Sequence, residues 1–307
     1  MMPYAFVRGL GYASIVAASE RVCWSVDEIY RGRRFDASTP IVPSSWVGAD
    51  ALAFLDARDR LVLNHCRAFS YVHILRNFEE FAPPHLAGAA TAHWHDERAR
   101  LRALFRFADE EMKHQQLFLR AEHALRESCG WAFGGWFDDD GLRVADVTRA
   151  LLEHSPLARF LVVLALEWGT QRHYVESVRG AHETDPLYAD LLRAHWVEEA
   201  QHTKIDALEI AALAETMGAA ERTAAFDELL AVGDLVDGIV VEQARLEIAT
   251  LADVRGRPFS DEQRAALERA LHESLGAIMS GVGLSHPTFA AVARELSPEG
   301  AAKLGLA

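Results

Sequence analysis

His195, Glu199 and His202 stand at i, i+4 and i+7 within His195-Trp196-Val197-Glu198-Glu199-Ala200-Gln201-His202. At about 100° per residue on an α-helix they fall within roughly 60° of one another, so all three point the same way. A second stretch, Glu110-Glu111-Met112-Lys113-His114, repeats the Glu-Glu-x-x-His core, and Glu111 and His114 each precede their counterpart by 88 residues. Carboxylates and imidazoles in this mixture suit divalent iron or manganese, with no cysteine placed to compete as a soft ligand. Two helices carrying Glu-x-x-His, joined by one Glu from each of two others, is how a helical bundle holds a pair of such ions.

The two further carboxylates have candidates. The apolar run Phe160 to Leu166 ends at Glu167. A bare carboxylate buried there is costly and needs a cation or a proton. The alternative rolls Glu167 to the surface or pairs it with Arg172. On an earlier helix Leu61, Ala68, Val72, Leu75 and Phe78 share one side, and Glu79 follows Val72 by seven residues on it. Glu80 is turned about 100° away, so Glu79 is the chosen ligand and Glu80 the alternative. They precede Glu111 by 32 and 31 residues, about what a helix–turn–helix needs for the groups to meet. Within the set Glu79, Glu111, His114, Glu167, His195, Glu199 and His202, the natural bridges are Glu111 and Glu199. His114 then serves one metal and His202 the other. His195, one turn before Glu199, adds a nitrogen ligand that makes the site asymmetric. Glu110 and Glu198 are placed to accept the far ring N–H of a ligand histidine, or else to be solvated. Asp206, one turn beyond His202, is a further candidate for that supporting role.

Helices must position all of these. The periodicity predicts helices over about Tyr12–Tyr30, Ala51–Phe81, His95–Ser128, Pro186–Met217, Ala219–Val254, Ser260–Met279 and Pro287–Leu296. The helix carrying Glu167 begins near Val144 or after Pro156. The first long helix must stop before Pro83-Pro84, because a residue preceding proline disfavours helical backbone. Residues 1–50 form a strap, including a loop from Arg31 through Pro40 and Pro43 to Trp46. Residues 51–217 are the four-helix metal-binding core and 218–307 additional helices, all in one domain over 1–307. No strand-like alternation appears, so the expected class is all-α. Glu242 sits in an apolar neighbourhood and is a candidate inward-facing carboxylate without an assigned role.

The formal net charge of −14 argues against nucleic acid or an anionic membrane as partner. Four buried carboxylates balancing two divalent ions would account for part of it. Cys23, Cys66 and Cys129 are odd in number and widely spaced, which points to a reducing compartment. No clear signal peptide and no uncharged stretch of membrane-spanning length is visible, so a cytoplasmic protein is expected.

These motifs resemble a ferritin-like di-iron oxygenase. His195-x3-Glu199-x2-His202 in particular resembles the p-aminobenzoate N-oxygenase family, as does Arg33-Arg-Phe-Asp36 followed by Trp46. The Glu79 to Glu111 interval is a little shorter than in that family. The resemblance implies a ferritin-like four-helix bundle with two iron ions that uses O2 to oxidise an aryl amine, fed by an external electron donor. The additional helices would enclose a pocket or make a homodimer contact. Phe107, Trp168 and Trp196 are expected around the substrate. Di-iron hydroxylases or desaturases acting on carbon remain the alternative, as does a non-catalytic ferritin-like metal-binding protein. Radical-generating reductase subunits usually carry a tyrosine one turn after the first ligand histidine, where this chain has Phe118.

Overall fold

The N-terminal residues form two short helices, α1 (Tyr12–Ser19) and α2 (Val26–Tyr30), in place of the single helix expected over 12–30. Ser25 explains the break. Its hydroxyl accepts the Glu28 N–H while the Glu28 carboxylate accepts the Ser25 N–H, a reciprocal cap that starts a new helix. The computed structural model describes residues 4–92, 97–138 and 142–306, except the side chains at 142 and 280–282. Every regular element among the described residues is helical.

α3 (Ala57–Glu79) starts later than expected, where Asp56 and Asp59 cap one another. It ends before the prolines, which then open α4 (Ala82–Ala92), a helix the sequence reading omits. Proline in a first turn lacks only an N–H that has no intrahelical partner there. α5 (Arg98–Cys129) ends at Gly130, whose φ of 68° is the left-handed conformation that glycine adopts freely. Its expected start at His95 lies outside the described residues. Both starts considered for the next segment are real: α6 (Leu142–Glu153) is followed by α7 (Pro156–His173), capped by Ser155 with proline in its first turn. α8 (Pro186–Thr216) is capped by Asp185, which accepts the N–H groups of Leu187 and Tyr188. α9 (Ala219–Arg255), α10 (Asp261–Gly276), α11 (Val282–Leu284), α12 (Pro287–Leu296) and α13 (Pro298–Lys303) complete the chain.

α3 packs on α5, α7 packs on α8, and α5 meets α8 across the middle, so four helices surround one interior. α9 covers α3 and α7, and α10 lies on α9. Enclosed this way, α3 has almost no solvent face: nearly every residue from Val62 to Phe78 is buried. The one-sided apolar stripe expected of it is therefore only part of its burial, and its polar side chains are consumed internally. Asn64 holds the strap by accepting from the Ile41 and Val42 N–H groups and donating to the Val42 carbonyl. Arg67, fully buried, donates twice to Glu247 of α9 and also to the Trp46 and Leu271 carbonyls and the Ser274 hydroxyl. Glu242 is exposed and paired with Arg245, not inward-facing. No helix among the described residues is long and apolar enough to cross a membrane.

Candidate metal centre

α3, α5, α7 and α8 each deliver side chains to one buried cluster. Glu111, His114, Glu167, His195, Glu199 and His202 are all buried, and Glu79 keeps 13% of its side chain exposed. Glu80 caps the end of α3 and lines a surface groove instead. Two ligand groups emerge, Glu79–His114–His195–Glu199 and Glu111–His114–Glu199–His202, which share His114 and Glu199. Glu167 joins the second through its Oε1, 3.6 Å from His202 Nδ1.

The contacts have a particular geometry. His114 Nδ1 lies 3.0 Å from Glu199 Oε1, and His202 Nδ1 lies 3.0 Å from Glu111 Oε1. None of these four atoms has an aligned hydrogen-bond partner, and Glu79 Oε2 and Glu167 Oε2 have none either. Buried polar atoms left this way are rare and call for an explanation. A separation of about 3 Å is the edge of an octahedron whose metal–ligand bonds are about 2.1 Å. His195 Nε2 joins from one side, 3.0 Å from Glu79 Oε1 and 2.9 Å from Glu199 Oε1. The donor set therefore fits divalent cations of oxygen and nitrogen preference.

The opposite edges of two imidazoles are fixed. His114 Nε2 is 3.0 Å from Glu198 Oε2, and His202 Nε2 is 3.1 Å from Glu110 Oε2. Each glutamate has its own cation: Lys113 on Glu198, and Arg106, with the Ser19 hydroxyl, on Glu110. Arg106 stands one turn before Glu110, so spacing alone could have suggested that pair. Ser19 reaches Glu110 from α1, and Trp24 lies parallel to the His114 ring with centroids 6.1 Å apart. Neither contact has a local sequence signal. Asp206 does not fill the supporting role proposed for it. Both imidazole Nε2 atoms are already engaged, and its fully buried carboxyl has no hydrogen-bond partner among the described residues.

Electrostatics point to a demand for positive charge. Burial opposes protonation of His114 and His202, yet the surrounding carboxylates outweigh it and push both imidazoles well above their ordinary value. Burial and the charge on His114 push His195 well down. Burial, reinforced by Glu111, pushes Glu79 well up, and burial does the same to Asp206. Protons thus occupy part of a cluster whose carboxylates outnumber its histidines.

A cavity of about 30 Å3 adjoins the ligands and is lined by Leu75, Phe78, Phe81, Ala82, Val163, Leu166 and Thr170. The aromatic residues expected there lie elsewhere. Phe107 stacks on His202, Trp168 stacks on His286, and Trp196 stacks on Tyr174. In a third group, His73–Glu122–Asp138, Arg76 and Arg126 pair with the carboxylates and the Phe137 N–H donates to His73 Nε2, while His73 Nδ1 lies 3.3 Å from Glu122 Oε1 without an aligned hydrogen bond. Comparison with protein-family models and with curated proteins gives no match for this chain.

Proposed function

We propose that this chain is a non-haem di-iron oxidoreductase of ferritin-like architecture that uses O2 to oxidise a small organic molecule. Manganese suits the same ligands. N-oxygenation of an aryl amine, implied by the resemblance to p-aminobenzoate N-oxygenases, is the leading reaction. What carries the reading is the convergence of four glutamates and three histidines with near-octahedral edge distances and unaligned lone pairs.

When bound, the metal pair supplies the electrons that activate O2. The protein's own residues do the rest. Glu198 and Glu110 hold the Nε2 protons of His114 and His202, which leaves each Nδ1 lone pair aimed inward and raises its basicity. Lys113 pairs with Glu198 and Arg106 with Glu110, so each supporting glutamate faces a cation of its own. Phe78, Phe81, Val163 and Leu166 exclude water from the reacting face.

The cavity lining bears on the substrate. Apart from the candidate ligands its only polar side chain is Thr170, whose hydroxyl donates to the Glu167 carbonyl. A carboxylate on the substrate would find no counter-ion there, so the reading favours a neutral amine over an aminobenzoate. The same observation keeps C–H hydroxylation or desaturation as the second reading. At about 30 Å3 the cavity is far smaller than the roughly 300 Å3 or more of a small-molecule pocket, so admitting a substrate requires Phe78, Phe81 or Leu166 to swing aside.

The test is metal content after growth in iron-rich medium, then stopped-flow spectroscopy of the reduced protein mixed with O2. Two irons per chain and a transient visible band are expected, with one iron lost in Glu167→Ala. Product from neutral aryl amines supports N-oxygenation; product from C–H substrates alone shifts the reaction to carbon. A folded chain that takes up no iron overturns the reading.

A further inference from the structure

A groove of about 490 Å3 lies between the Val22–Arg33 segment and α8, with half-buried Trp24 among its walls. The Trp24 ring is parallel to that of His114 within 1°. Lys113 Nζ sits 4.0 Å from the Trp24 ring centroid and pairs with Glu198, the residue that holds His114. Trp24 thus adjoins the candidate centre in two ways, by its ring parallel to His114 and by Lys113, which lies over it and pairs with Glu198.

The rim is cationic on a chain whose net charge is −14. Arg31, Arg33 and Arg193 all line the groove. Arg33 is neutralised by Asp190 at 2.7 Å, and Glu28 is turned to the Ser25 cap. Arg31 and Arg193 are exposed and bonded to no carboxylate among the described residues. Arg31 also has a φ of 42°, the only positive value at a non-glycine among the described residues. That conformation closes α2, the Arg31 N–H donating to the Asp27 carbonyl, and it leaves the guanidinium on the rim.

The groove shares no lining residue with the cavity beside Glu79 and Glu167. A substrate entering it meets Trp24, with His114 buried and outside the groove lining, whereas electrons need no opening. We propose that this groove is the docking face for an acidic one-electron carrier protein, and that Trp24 conducts its electrons to the metal pair through His114. The inference rests on the di-iron reading. In each encounter the reduced carrier loses one electron and one ferric ion of the pair gains it, with no bond made or broken. Two encounters re-reduce the pair. Cationic rims of this kind speed the encounter with an acidic partner and fix its orientation.

The experiment uses the full-length iron-loaded protein and an acidic plant-type [2Fe–2S] ferredoxin as probe. Reduction of the ferric protein is followed by stopped flow as ferredoxin concentration is varied. Arg31→Glu with Arg193→Glu should raise the half-saturating concentration about tenfold and flatten its salt dependence, with the limiting rate unchanged. Trp24→Leu should instead lower the limiting rate about tenfold, and Trp24→Tyr should restore most of it. Arg149→Glu, on a different groove, serves as the control. Iron content and thermal unfolding on every variant report the metal site and the fold. Two irons with unchanged kinetics in the double variant overturn the docking face alone; absence of iron in the wild type overturns the di-iron reading and this inference with it. Failure of ferredoxin to bind the wild type, or tighter charge-sensitive binding of an acidic acyl-carrier protein, also overturns it.

Discussion

His114 and His202 each commit Nε2 to a glutamate that a cation neutralises in turn, so the orientation of each ring is set two residues away from the inward-facing nitrogen. Truncating Glu110 or Glu198 to alanine should weaken metal binding about 10–100-fold without removing a ligand. Chelator competition measures it, and Glu198→Gln should keep much of the affinity because its carbonyl oxygen still accepts from the ring. Glu111, His114, His195, Glu199 and His202 were legible because Glu-x-x-His and its extension are local patterns that a helix projects onto one face, and Glu79 and Glu167 because each follows an apolar face or run. Glu110 and Glu198 were legible as their neighbours. Ser19 and Trp24 were not, since they arrive from the strap across 91 and 90 residues of chain and follow no period. Asp206 was misjudged because helical spacing sets direction but not whether the partner atom is already taken.

At the scale of the element, helix ends depended on capping chemistry that periodicity misses. Ser25-x-x-Glu28 and Asp56-x-x-Asp59 both stand in the sequence, and each marks a start that the apolar pattern misplaced. α4 shows a further consequence. It carries His85, buried against the Phe81 and Phe160 rings with neither ring nitrogen hydrogen-bonded. Burial, helped by the positive charge of Arg159, pushes its imidazole down to about 3 from 6.5. His173 on α7, whose Nδ1 is hydrogen-bonded to the Tyr71 hydroxyl at 3.0 Å, is also pushed down to about 3 by burial. A depressed folded value means the unfolded chain binds the proton first. Stability is therefore full above about pH 6.5 and falls as the pH drops from there toward about 3. Each histidine should contribute a loss of about 1.4 kcal/mol per pH unit in that window. Thermal melts of wild type and His85→Phe at pH 7 and pH 5.5 should show a smaller acid-induced drop in the variant.

For the whole molecule, one buried ion pair joins parts that no local pattern links. Arg67 and Glu247 are 180 residues apart, and their side chains are 0% and 1% exposed. Through the carbonyls of Trp46 and Leu271 the same guanidinium ties the strap, α3, α9 and α10 together. Arg67→Ala strands a buried carboxylate and should cost about 3–5 kcal/mol, whereas Arg67→Met with Glu247→Leu should recover most of it. Urea unfolding of the two variants decides the point. An all-helical chain was readable from composition and period alone. How α9 and α10 close over α3 was not, because that arrangement depends on pairings of high sequence separation.

The hydrogen bond from Ser19 to Glu110 has a kinetic consequence. Ser19 is made 91 residues before Glu110, so the strap cannot settle on this partner until α5 has been synthesised. Ions can then enter an unfinished site and be shut in when the strap settles. Release becomes a matter of how often the strap lets go, a local opening with its own free energy. Chelator-driven loss should accordingly reach a plateau rate that no longer rises with chelator concentration, and Ser19→Ala should raise that plateau while leaving the ligands untouched.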